Sequence, residues 1–160
     1  MDKAKNIWII NDKDELILVD KNNMKVKTFL PYASSTGNTT DQLYDLGVLE
    51  DQLYLFYRSG LLICYNLKSH QEIYRQKLPD ELPKGKYENT SYVVPGNNTF
   101  YQLRNGSQGG VMLNYDITRK KWNIVFQTDY RLNSLSIDKD SSIWVSCYMG
   151  LWNIDAGLIN

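Results

Sequence analysis

The chain of 160 residues has the length of about one domain, and its 18 Lys and Arg balance 18 Asp and Glu, so the basic footprint of a nucleic-acid or polybasic membrane binder is missing. Three alanines and five glutamates, against twelve tyrosines, fifteen asparagines and four tryptophans, exclude an all-helical bundle and favour strands joined by tight turns. No apolar run approaches the ~20 residues of a membrane span, and Met1-Asp2-Lys3-Ala4-Lys5 leads into Ile7-Trp8-Ile9-Ile10 without the long apolar core of a secretion signal.

Four copies of one β-rich unit follow in chain order. The first, 1–31, places a strand B at the pair Ile7-Trp8, a strand C at Leu16-Ile17-Leu18-Val19 closing on Asp20, and a polar strand D at 25–29. The second, 43–79, adds a strand A at 44–48 before Leu53-Tyr54, then Leu62-Ile63-Cys64-Tyr65 closing on Asn66, and a strand D at 72–76. The third, 91–128, has A at 91–94, B at Phe100-Tyr101, C at Met112-Leu113-Asn114-Tyr115 closing on Asp116, and D at 122–126. The fourth, 132–160, has A at 134–137, B at Ile143-Trp144, and C at Leu151-Trp152-Asn153-Ile154 closing on Asp155.

The aromatic members recur at spacings of 46, 47 and 43 residues, the period of a four-stranded propeller blade. The expectation is an all-β fold: a β-propeller fragment of about four four-stranded antiparallel blades over 1–160, with the first and last incomplete. Its strands number three, four, four and three. Propellers protect their edges by closure, and an open strand edge pairs readily with another chain. The chain is therefore expected either to belong to a longer propeller or to self-associate.

The fourth unit, Asp138-Lys139-Asp140-Ser141-Ser142-Ile143-Trp144-Val145-Ser146-Cys147-Tyr148-Met149-Gly150-Leu151, resembles the two-component regulator propeller repeat. That pattern runs Asp, a short turn with Gly, an aliphatic, Trp, an aliphatic, a small residue, then Gly-Leu. Asp2-Lys3-Ala4-Lys5-Asn6-Ile7-Trp8-Ile9 resembles its first half, while the second and third units match only through Gly60-Leu61 and Gly109-Gly110. Ser141 stands where the pattern carries its turn glycine, and Ser146 where it carries a second small Gly. A sialidase Asp-box, from Ser136, Asp138 and Trp144, fits less well by spacing, and WD-repeat propellers fit worse. The resemblance implies the periplasmic sensor region of a hybrid histidine kinase that responds to an oligosaccharide, with a membrane-anchored parent chain. No catalysis in this region and no cofactor are expected.

The residues themselves offer little chemistry. Cys64 and Cys147 belong to no metal-ligand spacing and read as two buried thiols. His70 lies alone in a C–D turn, short of a ligand set. Ser107-Gln108-Gly109-Gly110 precedes a strand and reads as a hairpin, not a phosphate loop. Asp2, Asp20, Asp116, Asp138 and Asp155 recur with the repeat, which suits turn caps better than paired catalytic carboxylates or calcium ligands. The sequons at Asn38, Asn89 and Asn105 are the yield of an Asn-rich chain. The B–C loops and D–A links, with Pro31–Gln42 and Pro79–Ser91, form the face opposite those caps. Loops on a rigid scaffold are where sites sit, and the expected ligand-binding residues there are Arg58, Arg104, Asn105 and Tyr148. A propeller-fold carbohydrate-active enzyme and a protein-interaction propeller without a small ligand are the alternatives.

Overall fold

A computed structural model describes residues 5–11, 15–29, 41–79, 89–95 and 98–154, all in strands, turns and irregular segments. Fourteen strands form four antiparallel sheets among these residues. The first holds β1 (Ile7–Ile10), β2 (Leu16–Val19) and β3 (Val26–Phe29). The second holds β4 (Leu43–Leu49), β5 (Gln52–Tyr57), β6 (Leu62–Asn66) and β7 (Glu72–Gln76). In the third, β8 (Asn89–Pro95), β9 (Thr99–Gly106), β10 (Gly109–Asp116) and β11 (Lys121–Thr128) succeed one another, and in the fourth β12 (Leu132–Ile137), β13 (Ile143–Cys147) and β14 (Gly150–Ile154). Each strand pairs with its sequence neighbour. This is the up-and-down order of a propeller blade, with three, four, four and three strands.

The chain divides into two compact units, Met1–Leu78 and Pro79–Asn160, each carrying two sheets. Alternation along the strands decides what each face meets. In the first unit Trp8 and Leu16 pack with Leu43, Leu53, Leu55, Tyr57, Ile63 and Tyr65. In the second Leu103 and Met112 pack with Leu132, Leu135, Ile143, Val145 and Cys147, and the Phe126 and Trp152 rings meet at 5.1 Å. Of the aromatic members of the repeat, Trp8 and Tyr54 are buried whereas Tyr101 and Trp144 are half-buried.

Two details of the repeat go beyond apolar patterning. Every complete A–B pair skips one residue near the start of strand A, between Leu43 and Asp45, Thr90 and Tyr92, and Leu132 and Ser134; such a bulge bends the strand and adds twist. Each described turn between A and B or between C and D also holds one residue in the left-handed region. Glu50, Asn98 and Ser141 serve the A–B turns, Met24, His70 and Lys120 the C–D turns, and Lys5 the entry to β1, with φ between 52° and 69°.

Candidate functional site

The recurring acidic and amide residues are turn caps. Asp20 Oδ1 accepts the Asn22 amide at 2.8 Å. Asn66 Oδ1 accepts those of Lys68 and Ser69 at 2.8 and 3.0 Å, and Asp116 Oδ1 that of Arg119 at 2.9 Å. In each case the residue four places on is the left-handed one, and the Met24 and His70 amides donate back to the carbonyls of Asp20 and Asn66. Asp138 Oδ1 takes the Lys139 amide at 2.7 Å. Its neighbour Asp140, which the repeat did not single out, accepts both the amide and the hydroxyl of Ser142 at 2.9 and 2.6 Å. Those two bonds, the hydroxyl foremost, hold the Asp140 carboxyl below the ordinary carboxylate range. Asp2, Asp155, Asn38 and most of the two long links lie outside the described residues.

Of the four expected ligand-binding residues, Arg58 and Tyr148 stand on exposed hairpin ends. The loop from Tyr57 to Leu61 is braced by Asp41, whose carboxylate accepts the Ser59 amide at 3.0 Å and its hydroxyl at 2.6 Å. Gly60 turns the chain at φ 91°, and the Arg58 amide donates to the Gln42 carbonyl at 2.8 Å. Arg58 is thus presented outward from a fixed backbone. Tyr148 and Met149 form a two-residue turn between Cys147 and Gly150, which pair across it. The Met149 amide donates to Cys147 Sγ at 3.2 Å, and Tyr148 is 89% exposed.

Arg104 and Asn105 are not loop residues, and this corrects the sequence-based expectation. Pairing of β9 with β10 continues to Gly106 opposite Gly109, so the turn is only Ser107-Gln108 and both side chains fall inside a strand, buried. Asn105 Nδ2 donates to the Leu132 carbonyl and its Oδ1 accepts the Leu132 amide, both at 2.8 Å. It fastens the third sheet to the fourth. Burial also removes the Asn105 sequon from the accessible surface of the folded chain.

The glycines beside this clamp permit it. A Cβ on Gly110 would lie 2.6 Å from Asn105 Oδ1 and 2.7 Å from Leu132 Cγ, and Gly109, at φ 120°, approaches the backbone of Thr128 and Asp129. The segment is a hairpin held against its neighbour, as the strand that follows it had suggested. Cys64 and Cys147 are free thiols, both buried, and His70 is an exposed turn residue. Among the described residues no group of three or more His, Cys, Asp or Glu converges for a metal ion. A shallow cavity of about 330 Å³ beside Asp116 is lined by Asn98, Thr99, Thr118 and Arg119.

Buried Tyr57 and the exposed pair Glu72 and Arg75 belong to the sheet that carries the Arg58 loop. Burial pushes the Tyr57 phenol well above its usual range, with Tyr65 and Asp41 adding to the effect. Arg75 donates through Nε and Nη2 to the two Glu72 oxygens at 2.7 and 2.5 Å. That hydrogen bonding lowers the Glu72 carboxyl and raises the Arg75 guanidinium.

No family model matches the chain, and no curated protein matches it. Solved structures do. The computationally designed Ika4 protein is 11% identical with a TM-score of 0.65, over 96% of this chain and 89% of that one. The beta-propeller domain of Myceliophteria thermophila Cps50 (Swd1) is 10% identical with a TM-score of 0.63, over 93% of this chain and 54% of that one. The N-terminal domain of Nup159 is 11% identical with a TM-score of 0.55, over 96% and 48%. The chain thus spans about half the length of the Cps50 and Nup159 structures. At such identities the likeness speaks for the fold alone, and together with the four up-and-down sheets it makes the chain an all-β protein of propeller blades.

Proposed function

We propose that the chain is a non-catalytic recognition module, the ligand-sensing propeller region of a two-component signalling protein that responds to an oligosaccharide. The observation that carries this reading is the presentation of Arg58 and Tyr148 on braced hairpin ends. Each hairpin end is a separate candidate contact, the Arg58 guanidinium offering a sugar hydrogen bonds and the Tyr148 ring a stacking face, while the oxygens of Asp20, Asp116 and Asp138 serve turn amides. The two-component setting, a periplasmic location and a membrane-anchored parent chain are supported by the likeness of Asp138–Leu151 to that repeat. Ligand capture would act by favouring one arrangement of an assembled sensor over another.

Calorimetric titration with neutral oligosaccharides derived from xylan, mannan and glucan tests the reading. Saturable binding is expected, weakened at least about tenfold (~1.4 kcal/mol) in Arg58→Ala or in Tyr148→Ala, according to which hairpin end takes the sugar. Release of new reducing ends from any of these glycans would replace the module by a carbohydrate-active enzyme. Absence of binding across the panel would sink the saccharide reading.

A second reading has its own support. Tyr148, Met149 and Leu151 are all exposed at one hairpin, a composition suited to the centre of a protein contact. On this reading the module binds another protein and takes no small ligand.

A further inference from the structure

We infer that copies of this chain associate head to tail, the exposed face of the first sheet in one copy packing on the exposed face of the fourth sheet in the next. This goes beyond the ligand reading and does not depend on it.

The two sheet-to-sheet contacts inside the chain define which faces mate. In the first unit Trp8 and Leu16 of one sheet pack against Leu53, Leu55 and Ile63 of the sheet that follows. In the second unit Leu103 and Met112 pack against Ile143 and Val145 in the same manner. The forward face of one sheet thus meets the rear face of its successor.

Strand register then identifies the equivalent positions that are exposed among the described residues. The cross-strand pairs Ile10 with Leu16, Leu103 with Met112 and Ser146 with Leu151 occupy the same place in three sheets. Leu16 and Met112 are 1% and 0% exposed on their forward faces, whereas Leu151 is 61% exposed. On the rear side, Ile7 and Ile9 hold the positions of Leu53 and Leu55 in the second sheet and of Ile143 and Val145 in the fourth. Those four are fully buried, yet Ile7 and Ile9 are 39% and 43% exposed. One chain therefore carries one rear face and one forward face of the kinds that pair elsewhere in it.

The forward face is prepared for burial. Ser134 and Ser146 join their hydroxyls at 2.7 Å beside Leu151, so one of the two O–H groups already has its acceptor when the face is covered. Because the two faces differ, their contact is heterologous, with each copy using one surface to receive and the other to donate. Two copies also reach the length of the natural structures of which one copy spans 54% and 48%.

Sedimentation velocity on the 160-residue chain over rising concentration tests this. The wild-type chain is expected to associate, and Ile9→Lys or Leu151→Lys each to weaken association at least about tenfold by placing an ammonium in the contact. Ile9→Val and Leu151→Met are expected to retain it. The decisive arm is the mixture: I9K keeps a sound forward face and L151K a sound rear face, so together they form a one-to-one dimer that neither forms alone. Serine at the same two positions serves the comparison if a lysine variant loses its far-ultraviolet strand signal. A wild-type chain that stays monomeric, a lysine variant that self-associates as wild type does, or a mixture that remains monomeric would each overturn the inference. A protein other than this chain as occupant of these faces corresponds to the first of those outcomes.

Discussion

The Asn105 carboxamide closes two hydrogen bonds on the backbone of a single residue, Leu132, donating to its carbonyl and accepting from its amide at 2.8 Å each. The side chain behaves as a short piece of strand inserted between two sheets. Replacing it by alanine leaves a buried N–H and a buried C=O without partners, at about 1–3 kcal/mol for each group if no water enters. Asn105→Ala is therefore expected to lower stability by about 2–4 kcal/mol, read as a drop in the urea midpoint. Asn105→Asp, which keeps the acceptor but loses the donor, should also destabilise. A midpoint unchanged in the alanine variant would show that the clamp contributes nothing.

Gly110 is expected to tolerate no side chain. An added methyl would meet Asn105 Oδ1, Leu132 Cγ and, at 3.0 Å, the Tyr130 carbonyl, so Gly110→Ala must displace the same clamp. A loss of about 1–3 kcal/mol follows from such overpacking. Combined with Asn105→Ala, it should cost less than the sum of the two single changes, because both act on one contact. A double-mutant cycle checks this, and strict additivity would refute the coupling.

The left-handed turn residues predict changes of opposite sign. Lys120 and Ser141 sit at φ 52° and 69°, where a Cβ costs roughly 1–2 kcal/mol that glycine avoids, offset in part by glycine's greater freedom when unfolded. Lys120→Gly and Ser141→Gly are expected to raise stability by up to about 1 kcal/mol, and Lys120→Val to lower it. Thermal midpoints of the three variants against wild type decide the matter.

Two titrations set the pH dependence. The Glu72 carboxyl is held below its ordinary 4.5 by Arg75, so its contribution is complete above that value and lost as pH falls through the lowered one. Both side chains face solvent, which limits the effect to below about 1 kcal/mol. Glu72→Gln should flatten the acid limb of a stability profile by that small amount. Tyr57 runs the other way. Its phenol ionises near 10 when unfolded and higher when buried, so stability declines as pH rises above 10, and Tyr57→Phe should soften that decline. Urea midpoints measured from acid to alkaline pH test both signs.

The blade period was legible because an apolar residue followed by an aromatic marks strand B in every unit, and an Asp or Asn closes strand C. Burial of Leu53, Phe100 and Ile143 and capping by Asp20, Asn66 and Asp116 are direct consequences of that pattern. The placement of Arg104 and Asn105 was not legible. An arginine and an asparagine before a glycine read as a loop, and only the pairing of Gly106 with Gly109 draws them into a strand. A carboxamide that spends both its groups on a distant backbone leaves no local signature. The bulges in the A–B pairs were hidden for a similar reason, since skipping Tyr44, Ser91 or Asn133 depends on how two strands meet. Ser141, by contrast, stood at the place of a turn glycine, and the left-handed backbone there explains why glycine suits that place.

The two free thiols fall one to each compact unit, Cys64 in the first and Cys147 in the second. Each is shielded while its sheet is intact. The rate at which a thiol reagent reaches either sulfur is thus a local clock for the opening of the half that holds it. With one cysteine replaced at a time, the chain reports separately how often each pair of blades breathes, with no label to introduce.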